Sequence, residues 1–159
     1  MTDATLISRA AFIERYRTKF DELYAFDGEG ECVIRERGDW ESLEFPAMTL
    51  PGWAADAGIF NRFLGFISAV AKPGWFVLAE VESVEKFTEA RIVPANRSAI
   101  EKLWSRSRLP HFKTVCFDES ALWCALFDSL EDRVVVRRAS PDLEGESGRN
   151  NRGQTTIPR

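Results

Sequence analysis

Trp75-Phe76-Val77-Leu78-Ala79-Glu80-Val81-Glu82 is the stretch on which the fold turns. It holds neither glycine nor proline, it is rich in aromatic and β-branched residues, and its side chains alternate. Phe76, Leu78, Glu80 and Glu82 fall on one face of a strand, and Trp75, Val77, Ala79 and Val81 on the other. The glutamates mark its exposed end. Beyond Ser83-Val84-Glu85 the segment Phe87 to Val93 returns as a second strand, which predicts a hairpin.

Downstream, Lys113 to Asp118, Ala121 to Phe127 and Arg133 to Arg138 read as three further strands, joined by Glu119-Ser120 and by Asp128 to Asp132. Between hairpin and meander, Ser98-Ala99-Ile100-Glu101 has the spacing of a capping box. Ile100, Leu103 and Trp104 make one face of a short helix that Leu109-Pro110 closes. Upstream, Lys72-Pro73-Gly74 stops a helix over residues 55–71. Its apolar positions Ile59, Phe60, Phe63, Leu64, Phe66, Ile67 and Val70 cover much of the circumference, so it is buried on more than one side.

Nearer the N-terminus, Ser8 is the expected N-cap of a helix in which Phe12, Ile13, Tyr16, Phe20, Leu23 and Tyr24 recur at spacings of three and four. The helix should run to the turn signal Asp27-Gly28-Glu29-Gly30. Cys32 to Arg35 reads as a short strand and Arg37 to Trp40 as a loop. Glu44 to Gly52, with Pro46 and Pro51, is too rich in proline to sit inside a sheet. The expected class is α+β: a single domain over residues 5–139, with an antiparallel sheet of hairpin plus three-stranded meander covered by about three helices.

Composition supports one core. The 159 residues are 45% apolar, and the twelve Phe and five Trp are spread from Phe12 to Phe127 without a gap that would separate two domains. A globular chain of this length buries roughly 68–70% of its unfolded surface. After Ala139 only Leu143 and Ile157 are large and apolar, so residues 140–159 are expected to be a disordered polar tail. The first residues lack the pattern of a signal peptide. The apolar-rich stretch Ala54 to Ala71 is broken by Asp56, Asn61 and Arg62 and is too polar to span a bilayer. A cytoplasmic protein without membrane contact is the expectation.

Cys32, Cys116 and Cys124 all lie in apolar, strand-like surroundings, and their odd number suits buried reduced thiols better than a disulfide framework. The turn at Glu119-Ser120 sets their register. If it has two residues, Cys116 lies opposite Trp123; if it takes in Ala121 as a third, Cys116 lies opposite Cys124.

Catalytic chemistry is sparse. The single histidine, His111, follows Pro110 in a connection between helix and strand. Zinc sites built from His and Cys would need cysteines that the pattern buries. Phosphate-binding glycine loops and the nucleophile-elbow motif are absent from the sequence. No cofactor, no metal and no enzymatic activity are expected.

Charge is the informative feature. From Asp21 to Glu44 there are nine carboxylates against two arginines, Arg35 and Arg37, a local net charge of −7 in a chain whose total is −4. A self-repelling segment costs stability unless a partner uses it. Asp27, Glu29, Glu31, Glu36, Asp39, Glu41 and Glu44 are therefore the candidate partner-binding residues, with Trp40 as an aromatic anchor among them. A capping role over the core competes for Trp40. An opposite cluster, Arg97, Lys102, Arg106, Arg108 and Lys113 around Trp104, would suit a nucleic-acid backbone if it were more than a solvated helix face. The other alternative is an enzyme or small-ligand domain with a pocket between helix 55–71 and the sheet.

A compact, acidic α+β domain of this size, rich in aromatics and without catalytic groups, resembles the small immunity proteins with which bacteria neutralise a cognate toxin, including those of contact-dependent growth inhibition. The likeness is one of type, across roughly residues 5 to 139. It implies a protein partner with a basic surface, such as the substrate cleft of a nuclease, met by the carboxylates between Asp21 and Glu44.

Overall fold

The computed structural model describes residues 3–46, 57–83, 86–99, 113–128 and 133–141. Along the chain these form β1 (Thr5–Ile7), α1 (Arg9–Leu23), β2 (Tyr24–Phe26), β3 (Cys32–Ile34), β4 (Trp40–Pro46), α2 (Ala57–Ile67), β5 (Trp75–Ser83), β6 (Lys86–Pro94), β7 (Lys113–Phe117), β8 (Trp123–Asp128) and β9 (Arg133–Ala139). The class is α+β. Seven strands make one sheet in the order β1-β6-β5-β7-β8-β9-β4, each neighbouring pair antiparallel, and β2 pairs with β3 as a separate hairpin.

The two-faced pattern of residues 75–82 explains the layering. Phe76 and Leu78 point into a cluster with Phe60, Phe63 and Ile67 of α2 and with Trp123. Val77, Ala79 and Val81 point into the opposite cluster, with Phe12, Tyr16, Phe20 and Leu23 of α1. The sheet is thus a middle layer between two helices, and β5 lies inside it, flanked by β6 and β7. Glu82 reaches solvent while Glu80 is half-buried. The aromatic side chains meet edge to face, Trp123 lying 5.1 Å from Phe76 and 5.9 Å from Phe63 between ring centroids.

Both the hairpin and the meander form as read, and β5 and β7 pair to join them into one sheet. Ser8 caps α1, its side chain accepting from Ala11 N at 3.1 Å. Other expectations are corrected. Helix α1 ends at Leu23, and Asp27 to Gly30 closes the β2–β3 hairpin instead; Tyr24 leaves the helix to become a buried strand residue, and Ile13, assigned to the apolar face, is exposed. The segment read as a loop and a proline-rich break contains β4. It is an edge strand, paired among the described residues with β9 alone, and Pro46 is its last residue, a place that tolerates a missing N–H.

Neither turn length expected between β7 and β8 occurs. The link runs from Asp118 to Leu122, so Phe117 faces Cys124 and Cys116 faces Ala125, and the two cysteines fall on opposite faces of the sheet. The helical turn after β6 is capped by Asn96, whose side chain accepts from Ala99 N at 2.9 Å, not by Ser98. Strand β1, which pairs with β6, was not foreseen. The remainder of the helix expected after Ala99, His111 and the expected tail from residue 142 onward lie outside the described residues. Among the described residues, no helix is long and apolar enough to cross a membrane.

Candidate functional site

The acidic segment folds as the β2–β3 hairpin and the strand β4, and it is anchored by unusual means. Three carbonyl groups at the C-terminus of α1 are satisfied from downstream: Arg35 Nε donates to Asp21 O at 2.6 Å, Arg37 Nη2 to Glu22 O at 2.7 Å, and Arg35 N to Leu23 O at 2.9 Å. The two arginines among the nine carboxylates therefore act as a C-terminal cap, where positive charge also complements the helix dipole. In the hairpin turn Asp27 Oδ1 accepts from Glu29 N at 2.9 Å and from Glu31 N at 3.0 Å. Gly30, at φ +81°, supplies the left-handed step.

Three side chains fasten the hairpin to the sheet. The Tyr24 hydroxyl, fully buried, lies 2.8 Å from Ala125 O and 3.0 Å from Cys116 O and shares its proton between them. Arg137 donates through Nη2 to Arg37 O at 2.9 Å and through Nη1 to Arg35 O at 3.2 Å. Lys113 Nζ sits 3.2 Å from Glu31, 3.3 Å from Asp128 and 3.1 Å from Cys32 O. Burial disfavours the Lys113 charge, yet Asp128 and Glu31 outweigh it and hold its pKa above the usual lysine value.

Beside the hairpin, over the faces of β8, β9 and β4, runs a groove of about 670 Å³. Strand alternation decides what lines it. Leu126 and Asp128 of β8, Arg133, Val135 and Arg137 of β9, and Ser42 and Glu44 of β4 share this face; Asp27, Glu29, Glu31, Val33, Ile34 and Glu36 line the hairpin side. Five of the expected partner residues, Asp27, Glu29, Glu31, Glu36 and Glu44, are thereby brought together. Three are not. Glu41 points to the other face of β4 and pairs with Arg138 at 2.7 Å, while Arg138 also donates to Phe66 O. Asp39 stands exposed in the loop before β4. Trp40 is half-buried against the α1-side core with the Arg37 guanidinium 4.9 Å from its ring centre, the arrangement of a capping residue.

Sequence reasoning missed Lys113, Asp128, Arg133 and Arg137 as groove residues. Lys113 was grouped with a basic patch and Asp128 with a turn; only the strand register shows that both face the hairpin. Of that basic segment, Arg97 is exposed just after β6, and Lys102 to Arg108 lie outside the described residues. Between α2 and the sheet, where a ligand pocket was the alternative, Phe60, Phe63, Ile67, Phe76 and Trp123 form a packed core.

The charges of the groove are unequally satisfied. Glu31 and Asp128 share Lys113, and Asp27 orders its own turn, whereas Glu29, Glu36 and Glu44 form no ion pair with any described residue. Cys32 lines the inner end, but burial pushes its thiol up to about 12, Cys124 likewise to about 12, and Cys116 well above the ordinary value. At neutral pH these are protonated, buried thiols without nucleophilic character. Among the described residues no group of three or more His, Cys, Asp or Glu is placed to hold a metal ion. The chemistry on offer is the binding of cationic groups. No family model, curated protein or solved structure matches this chain.

Proposed function

We propose that this chain is a binding protein of the toxin-neutralising type, which docks through the acidic face around the β2–β3 hairpin onto the basic surface of a protein toxin. The observation that supports this is the set of uncompensated carboxylates: Glu29, Glu36, Asp39 and Glu44 have no ion-pair partner among the described residues, although cations were at hand for Asp21, Glu31 and Glu41. Leaving like charges unpaired on a rigidly anchored scaffold costs stability and favours fast, electrostatically steered association with a cationic partner. A cytoplasmic setting, in which a toxin would be met after entry or synthesis, belongs to the same reading.

The test combines capture and protection. The tagged protein and a Glu29→Lys, Glu36→Lys, Asp39→Lys, Glu44→Lys variant are used to capture partners from the native lysate at low and high salt, and the captured protein is then expressed with and without each form. The expected result is one basic protein that wild type retains at low salt, that the variant loses, and whose growth inhibition only wild type relieves. A captured protein held equally by the charge-reversed variant, or one with no toxicity to relieve, overturns the proposal.

A further inference from the structure

We infer that the groove between the hairpin and β9–β4 receives an extended cationic segment of the partner, whose lysine or arginine stems lie on the apolar floor while their heads meet Glu36 and Glu44. The inference rests on the reading above for the existence of a basic partner and adds where and how it is held.

The chain itself shows the chemistry. At the inner end of the groove Lys113 has a side chain only 12% exposed, with its stem covered and its ammonium shared by Glu31, Asp128 and the carbonyl of Cys32. The outer end repeats the carboxylates, but Glu36 and Glu44 there form no ion pair with any described residue. Val135 lies directly across from Glu44 in the β4–β9 register, both on the groove face, and Val33 and Glu36 stand on the facing hairpin side. An apolar strip flanked by carboxylates matches a long basic side chain, which carries its charge at the end of a hydrocarbon stem. A groove of about 670 Å³ accommodates more than one such side chain, so an extended stretch fits better than a single residue. Of the three cations in the groove, Arg137 and Lys113 are committed to backbone carbonyls and to Glu31 and Asp128, and Arg133 stands across from Asp128 in the β8–β9 register.

The test uses the full chain and a synthetic octapeptide alternating arginine and alanine, with its glutamate counterpart as control, followed by titration in NMR. Binding should perturb the amides of residues 33–36, 42–44 and 133–137, and the glutamate peptide should perturb none of them. Glu36→Gln with Glu44→Gln should weaken the arginine peptide at least tenfold. Val135→Trp, which fills the groove without changing charge, should weaken it comparably, and Val33→Trp serves if that variant does not fold. Glu14→Gln with Glu82→Gln removes the same charge at exposed positions outside the groove and should change affinity less than twofold.

Unimpaired binding by a folded groove-filling variant, or an equal loss from the outside pair, overturns the inference in favour of diffuse charge attraction. The two proposals fail separately. A toxin bound by Val135→Trp as tightly as by wild type sinks the groove and spares the neutralising role; peptide binding as expected without any toxin relieved does the reverse.

Discussion

The indole nitrogen of Trp123 donates to Asp118 Oδ2 at 2.7 Å, and both residues are out of reach of solvent. The same oxygen accepts from Lys72 N at 2.7 Å, and Oδ1 accepts from Ser120 N at 2.8 Å and from the Ser120 hydroxyl. One carboxylate thus joins the segment leaving α2 to the β7–β8 link and fixes the ring at the centre of the α2-side core. It also holds a link in which Ala121 takes φ +53°, a left-handed conformation that disfavours a residue with a side chain. Because all its acceptor sites face N–H or O–H donors, Asp118→Ala should cost roughly 3 kcal/mol or more, and Asp118→Asn, which turns an amide N–H₂ toward donors, roughly 2 kcal/mol. Urea unfolding followed by Trp fluorescence checks both; a loss under about 0.5 kcal/mol for either would show that the hub is dispensable.

The buried thiols predict alkaline sensitivity. Their folded pKa values are raised, to about 12 for Cys32 and Cys124, so the folded state keeps protons that the unfolded chain releases. Stability is therefore complete below the unfolded thiol value of about 8.5 and falls as pH rises toward the folded value, by about 1.4 kcal/mol per pH unit for each such thiol. Denaturation midpoints measured between pH 7.5 and 10 should decline, and Cys124→Ala should flatten the slope whatever its own cost at pH 7.5. The thiols should also react with a disulfide reagent only after denaturant is added. A flat profile, or reaction in the native state, would contradict the burial assigned to them.

Much of the fold was legible because its signals are local. The alternation from Trp75 to Glu82, the Ser8 cap and the spacing Phe12, Tyr16, Phe20 each read correctly on their own. What stayed hidden depends on non-local pairing. Proline made residues 44–46 look unfit for a sheet, and only the position of β4 at its edge makes Pro46 acceptable. The β7–β8 register could not be settled by counting turn residues, because Asp118 accepts hydrogen bonds that sustain a longer link. For the groove, the acidic residues were visible as composition, but their division between groove face and opposite face follows from strand parity. Glu44 and Glu41 are three residues apart and serve different ends.

Tyr24→Phe isolates the hydroxyl that fastens the hairpin. The ring remains stacked on Phe20, 5.0 Å away between centroids, and only the donor to Ala125 O and Cys116 O is lost. Leaving those buried carbonyls without that donor should cost about 1–2 kcal/mol. Hydrogen exchange should speed selectively in residues 24–34 compared with β5. Uniform acceleration across the chain would mean that the hairpin does not open separately from the core.

Lys113 gives the sharpest test of how the hairpin is held, because its two carboxylates differ in burial: Asp128 is 7% exposed and the Glu31 side chain 42%. Removing the exposed partner costs little, since Asp128 and the Cys32 carbonyl still hold the ammonium, and Glu31→Gln should change stability by less than about 1 kcal/mol. Lys113→Met takes the ammonium away from the buried Asp128 carboxylate and should cost about 3 kcal/mol. Replacing both, Lys113→Met with Asp128→Leu, removes that buried charge as well and should recover most of the loss. The pH profile supplies a second readout. The Lys113 pKa is raised in the fold, so its contribution is complete below the unfolded value near 10.4 and declines as pH passes that value toward the folded one. Lys113→Met should lack that part of the decline. If the double variant is no more stable than Lys113→Met alone, the penalty comes from lost packing of the lysine stem, and the ion pair is not what closes the hairpin on the sheet.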